Sequence, residues 1–299
     1  MTRSADMADC NSHVMRAGGH LPVTAVIMAA AALAGCAPPN EPYTKDVHDA
    51  RASVTSSRPS SVTSEDPAST PKTTPVPDDV ENAMLIPSPG QTLRVGGDTN
   101  ARVTGRDGDF RSGSCRIDTP LPEGYPPPTP PGAIDLKTYP VVRVAEVDGS
   151  GSPDRGMNRA FWPLFNHIKK HDIAMTSPVE MRYRGLGSSN AGLPESWSMG
   201  FLYRTRDLND TGRDGDVVVR DTEAVTVVAV GLKGDYSMSL VKRGMARLED
   251  WLADHPEWEV AGGWRSLYYN GPSLMWWNKW AEVQVPVRRS QAAVEAPRS

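Results

Sequence analysis

His171-Asp172-Ile173-Ala174-Met175-Thr176-Ser177-Pro178-Val179-Glu180-Met181 is the stretch on which the reading of the fold turns. It follows a strongly patterned helical segment, and its own pattern shifts to alternation. Ile173, Met175 and Ser177 fall on one face, Ala174 and Thr176 on the other. Pro178 excludes a helix interior and marks an edge, a bend or a bulge. The stretch is therefore expected to be the strand that the helix feeds. It holds no nucleophile–base pair and no complete set of metal ligands.

Upstream, a helix is predicted over 154–170. Met157, Phe161, Leu164, Phe165 and Ile168 recur at helical spacing on one face. Arg159, Asn166, His167, Lys169 and Lys170 occupy the remainder, with Trp162 at the boundary. Pro163 would cost a helix interior about 3 kcal/mol, which predicts a kink or a start nearer Phe161. Before the helix, Ile134, Leu136, Val142, Val144 and Val147 mark two strands around the Tyr139-Pro140 turn. A shift of 83 residues finds an echo in Val217, Val219, Val225, Val227 and Val230. A second helix follows over 236–254, with Val241, Met245, Leu248 and Leu252 as its inward stripe. Further strands are expected at 173–184, 197–204, 264–269 and 279–287. The predicted fold is α+β: a distorted eight-stranded antiparallel barrel with two long helices, built from a duplicated ββαββ half.

Large apolar residues are confined to this region. All eight tryptophans lie beyond position 160, as do three of the four phenylalanines. Residues 37–131 are instead rich in Pro, Ser and Thr; 12 of the 22 residues from Ser53 to Thr74 are Ser or Thr. Such a composition cannot bury enough apolar surface to offset ordering entropy. The expected organisation is a signal segment at 1–36, a disordered tether at 37–131, a globular domain at 132–287 and a disordered tail at 288–299. Short strand signals at 91–119 leave that part of the tether ambiguous. Pro120 to Pro131, with seven prolines in 12 residues, predicts a polyproline-like approach to the domain.

The first 36 residues read as an address. Arg16 precedes an apolar, alanine-rich run at 21–33, which ends in Leu33-Ala34-Gly35-Cys36. This resembles the bacterial lipobox, which implies lipidation at Cys36 and an exported protein. It would be anchored at a bacterial membrane, facing the periplasm or the cell exterior. A start at Met15 would give a tidier signal. Cys10 and Cys36 lie in this region, so Cys115 is the one thiol left and no internal disulfide is expected.

Within 132–287, 18 Lys and Arg stand against 20 Asp and Glu, with no basic block. That argues against nucleic acid, which requires clustered positive charge. There is no Gly-rich phosphate loop and no Gly-x-Ser-x-Gly elbow, so catalysis is not expected. His167 and His171, four apart, share a helix face and suit a metal, but no third ligand stands at a recognisable spacing. Met275, Trp276, Trp277 and Trp280 are hard to bury together and could rim a pocket for a flat apolar ligand.

Three segments carry a family resemblance: 134–147, then Phe161-Trp162-Pro163-Leu164-Phe165-Asn166-His167-Ile168, then Ile173-Ala174-Met175-Thr176-Ser177-Pro178-Val179. They resemble the SOUL haem-binding family, and Tyr269-Asn270-Gly271-Pro272 and Ala281-Glu282-Val283 fit its C-terminal half. The resemblance implies non-catalytic binding of haem or a related tetrapyrrole; an enzyme acting on tetrapyrroles or their metals is a further alternative, for which the sequence displays no positioned acid–base groups. It places Arg159, Trp162, Phe165, His167 and Met175 at the ligand, with His167 as the candidate axial ligand of the iron. The run at 276–280 departs from the family's usual double arginine, which puts any role of those arginines in doubt here. The resemblance also extends to the effector-binding domains of bacterial regulators. The alternative reading is therefore a module for another amphipathic small ligand, with Glu180 and Glu282 as candidate acidic groups for a cationic one.

Overall fold

The computed structural model describes residues 86–290 with the exception of Pro272. The export segment, Cys36 and residues 291–299 lie outside these. The described elements begin well before 132. Strand β1 spans Thr92–Gly97, and a small three-stranded sheet is formed by β2 (Thr104–Arg106), β3 (Asp109–Ser112) and β4 (Cys115–Ile117). Then come β5 (Ala133–Tyr139), β6 (Arg143–Ser150), α1 (Pro153–Lys170), β7 (Val179–Arg184), β8 (Ser196–Leu202), β9 (Gly212–Asp214), β10 (Val217–Asp221), β11 (Val225–Lys233), α2 (Met238–Asp254), β12 (Trp258–Val260), β13 (Arg265–Tyr268) and β14 (Trp280–Arg289). No helix among the described residues is long and apolar enough to cross a membrane.

The architecture is α+β, a large antiparallel sheet with two helices. Its order is β1-β5-β11-β14-β13-β7-β8-β6-β10-β9, with β12 added beside β14. The strands read from sequence at 134–147 and 217–230 are β5, β6, β10 and β11. Each first strand has crossed over: β5 pairs with β11 and β10 with β6. The eight inner strands thus have the same order when the two halves are exchanged, about the central β7–β13 pair. The sheet does not close into the expected barrel. The outer edge of β5 is occupied by β1 and that of β10 by β9, so the two ends never meet.

Both helices cover one face. Alternation sends Ala281, Val283, Val285 and Val287 of β14 toward them, with Val228, Val230 and Leu232 of β11 and Met181 and Tyr183 of β7. Helix α2 begins at Ser237, whose hydroxyl accepts from the Leu240 N–H at 3.3 Å. It buries Leu240, Val241, Met245, Leu248 and Trp251, while Leu252 is only half-buried. Helix α1 runs through Pro163 from Pro153, earlier than a start near Phe161 would have it. The carbonyl that Pro163 cannot serve belongs to Arg159, an exposed residue that water can reach. Gly156 lets α1 approach the sheet: a Cβ there would lie 2.2 Å from the Trp197 ring.

The opening stretch is only partly a strand. Ladder pairing begins at Val179, and residues 173–178 are irregular. Side chains hold them in place: the Thr176 hydroxyl donates to the Leu202 carbonyl, and that of Ser177 donates to the Tyr269 carbonyl at 3.0 Å. The Ser177 N–H donates to the Pro120 carbonyl at 2.9 Å, which fastens the segment before β5 to the domain.

That segment is a cover for the second face of the sheet, not part of a tether. Leu121, Pro126, Pro128, Thr129 and Pro130 are buried. Phe110, Ile117 and Leu121 pack with Tyr139, Val227, Leu267, Tyr269 and Trp280 of the sheet. The prolines suit this role, since a segment laid across strands donates few ladder bonds and loses little entropy on ordering. At the other end, β14 continues to Arg289, two residues past the expected boundary.

Candidate functional site

Helix α1 keeps one face free. Arg155, Arg159, Trp162, Asn166 and Lys169, three or four residues apart, are all exposed. Trp162 is 43% exposed. Its ring stands edge-on to Phe161 at 5.8 Å and to Phe165 at 6.1 Å, and those two rings stack at 5.7 Å. Phe161 also meets Phe201 of β8 at 5.3 Å, which ties this aromatic cluster to the core. Arg155 and Arg159 have no ion-pair partner among the described residues. Met175, in the irregular stretch after α1, is 37% exposed. The arrangement is an apolar aromatic surface with unpaired positive charge beside it.

His167 is not part of that surface. It is 4% exposed and points inward. Its Nε2 lies 2.8 Å from the Tyr203 hydroxyl and its Nδ1 lies 2.8 Å from the Asp214 carboxylate. Both ring nitrogens are thus engaged, and neither is presented to a ligand on the exposed face of α1. His171 Nε2 reaches the same Asp214 oxygen at 3.1 Å, and Lys170 Nζ reaches the other at 2.8 Å. Hydrogen bonds from Lys170, His167 and His171 hold the Asp214 carboxyl well below the usual carboxylate range. Sequence spacing missed Asp214 because it arrives from β9, 47 residues after His167.

The two acidic candidates for a cationic ligand are not strand-surface groups. Both sit on the covered second face, in a buried stripe of alternating charge. Lys137 Nζ contacts the Glu282 carboxylate at 2.9 Å, with both side chains fully buried. Glu282 also accepts from the Thr129 N–H, the Tyr269 hydroxyl and Gln284 Nε2, at 2.7, 2.6 and 2.6 Å. Gln284 receives Arg265 Nε at 2.9 Å, and Arg265 Nη1 contacts Glu180 at 3.1 Å. Glu180 pairs again with Arg182, and Glu146 pairs with Arg220 at 2.6 Å. Burial pushes the Glu180 carboxyl up, but Arg182 and Arg265 outweigh it and hold the group below its ordinary value. Each acid already has its cation. Alternation predicts that these residues share a face; it gives no sign that the face is covered.

Trp276 and Trp277 stand on a short 3-10 turn (Trp276–Asn278), 57% and 44% exposed, edge to face with each other at 5.5 Å. Trp280 is buried, its indole N–H donating to the Thr129 carbonyl at 2.7 Å, so the expected pocket rim is divided between surface and core. Two grooves of about 500 Å³ lie elsewhere. One runs along the start of α2 beside Ser189 and Asn190, the other beside Arg94, Arg102 and Pro127.

A sequence profile of the SOUL heme-binding protein family matches residues 124–286, more than half of the chain. The chain belongs to the SOUL heme-binding protein family. The matched span includes β5 to α2, the irregular stretch before β7 and most of β14. Membership supports haem or another porphyrin as the ligand class. No curated protein matches the chain. Among solved structures, the EcmrR C-terminal domain is similar at 18% identity and TM-score 0.44, over 52% of this chain and 98% of that one. Against EcmrR in its complex with DNA, the likeness covers 57% of that chain. An uncharacterized conserved protein from Listeria innocua is similar at 13% identity and TM-score 0.40, over 54% of this chain and 94% of that one. SAV2435 bound to tetraphenylphosphonium is similar at 10% identity and TM-score 0.36, over 55% and 97%. Likenesses of this order say nothing about what the SOUL domain binds.

The residues of α1 fit a flat apolar ring with acidic substituents. Trp162 offers ring surface, and Arg155 and Arg159 offer charge for carboxylates. They do not fit ligation of a haem iron by His167, which is buried and turned toward Tyr203 and Asp214, away from the exposed face of α1.

Proposed function

We propose that this SOUL domain binds haem or a related tetrapyrrole on the exposed face of α1, without catalysis, from an exported and lipid-anchored chain. The observation that carries the reading is Trp162, 43% exposed and flanked by the unpaired Arg155 and Arg159 on the helix of a SOUL-family domain. A porphyrin laid against Trp162, with Phe165 and Met175 at its margins, would bury apolar surface on both partners. Its propionates would lie within reach of the arginines. The protein's contribution is contact and charge, so an iron-free porphyrin binds as well as haem. Lipidation at Cys36 and export rest on the lipobox-like 33–36 segment alone.

The test is a titration of the full chain with haemin and with protoporphyrin. Both should saturate near one equivalent with a Soret shift. Trp162→Ala should weaken both about five- to twelvefold, the loss expected for an aromatic contact of about 1–1.5 kcal/mol. His167→Ala should leave the Soret position of bound haemin unchanged. Non-saturating absorbance, or Trp162→Ala binding like wild type, would overturn the placement. For the anchor, Cys36→Ser should release the protein from the membrane fraction.

A further inference from the structure

We propose that His167, His171 and Asp214 form a binding site for a divalent transition-metal cation of the zinc type at the C-terminal end of α1. This does not rest on the porphyrin reading. One donor atom from each residue lies within 4.8 Å of the others. The two histidines are one helical turn apart, with ring centroids 4.6 Å apart, which is the spacing by which helices present two imidazoles to one ion. Asp214 arrives from β9, and a single oxygen, Oδ2, faces His167 Nδ1 at 2.8 Å and His171 Nε2 at 3.1 Å.

Two imidazoles and one carboxylate favour zinc, cobalt, nickel or copper over magnesium or calcium, which take oxygen donors. The partners outside the triad have the form that metal ligands require. Tyr203 lies 2.8 Å from the far nitrogen of His167 and fixes its ring. Lys170 holds the other oxygen of Asp214 at 2.8 Å and leaves Oδ2 turned to the imidazoles.

The proton balance is simple. In a neutral, metal-free triad the contacts would be met by a proton on His167 Nδ1 and one on His171 Nε2, both facing Asp214, with the Tyr203 hydroxyl donating to His167 Nε2. With a cation in the triad, each neutral imidazole carries its one proton on the opposite nitrogen. His167 then donates from Nε2 to Tyr203, and no proton is lost. His171 and Asp214 are about one-third exposed at their side chains, so water can complete the coordination. The ion would clip β9, the last strand at its end of the sheet, to α1.

The experiment uses the untagged full chain, stripped of metal with a chelator and free of porphyrin. Cobalt(II) titration should give visible d–d bands of a four-coordinate site, saturating at one equivalent and abolished by zinc. His171→Ala and Asp214→Asn, both at partly exposed positions, should each weaken zinc binding by at least about 100-fold, beyond the usual effect of losing an orienting partner. Far-UV circular dichroism would confirm that both variants stay folded. Absence of saturable binding, or equal binding by wild type and both variants, overturns the site and leaves a cluster closed by protons. Haemin binding by the same variants reports separately on the α1 surface, so one reading can fail without the other.

Discussion

Lys137→Met is the most informative single perturbation of the fold. The Lys137 ammonium and the Glu282 carboxylate have no exposed side-chain surface, and they meet at 2.9 and 3.1 Å. Methionine keeps much of the apolar stem but removes the charge. Glu282 is then left as a buried anion with three neutral donors: the Thr129 N–H, the Tyr269 hydroxyl and Gln284 Nε2. The Pro127 carbonyl loses the ammonium that donates to it at 2.7 Å. Removing one partner of a buried ion pair costs about 3–5 kcal/mol, because the other charge stays desolvated. The three remaining donors place the expected loss near the lower end, about 3 kcal/mol. For a domain of this size that is roughly 6–12 °C in Tm. Urea denaturation followed by tryptophan fluorescence measures it, since the Trp280 indole donates to the neighbouring Thr129 carbonyl. Lys137→Met with Glu282→Gln removes the stranded charge and keeps an oxygen for Thr129 and Tyr269. That pair should recover at least half of the loss. A single-variant cost below about 1 kcal/mol, or no recovery in the pair, would refute the view of the stripe as a set of mutually dependent buried charges.

Three further expectations can be checked with the same assays. Gly156→Ala should destabilise by about 1 kcal/mol: the 2.2 Å approach to Trp197 is overpacked by about 1–3 kcal/mol, against a gain in helix propensity of just under 1 kcal/mol. A stabilised variant would mean that α1 is free to move away from the sheet. A chain begun at residue 132 should expose the charged stripe together with Tyr139, Leu267 and Tyr269, and should aggregate or melt without cooperativity; a cooperative melt like that of the full chain would contradict the cover. Arg143 and Arg206 hold the Asp221 carboxyl at about 2, below its ordinary 3.8. A depressed carboxylate stabilises the fold above its unfolded value and loses that contribution as pH falls toward 2, so wild type should lose stability between about pH 4 and 2. Asp221→Asn should flatten that part of the profile, and an unchanged slope would assign the acid transition to other groups.

Much of the helix-facing side was legible without coordinates. The inward stripes of α1 and α2, the alternation of β14 and the 83-residue echo are local patterns. Each follows from the repeat of side chains along one element, which sequence displays directly. The SOUL signature is equally local. Three matters were decided only by tertiary structure. Whether the sheet closes depends on what occupies the outer edges of β5 and β10, and those partners, β1 and β9, are short strands with weak patterns of their own. The polar positions Lys137, Glu180, Glu282 and Gln284 alternate as a solvent-facing set would. They are buried because a proline-rich segment earlier in the chain folds back over them, and periodicity identifies a face without saying what lies on it. His167 looked like an available imidazole on a polar helix face. Tyr203 and Asp214, 36 and 47 residues away, turn it inward and occupy both nitrogens. Repeats along an element are written in neighbouring residues, whereas the partners of a buried polar group are chosen by the path of the whole chain.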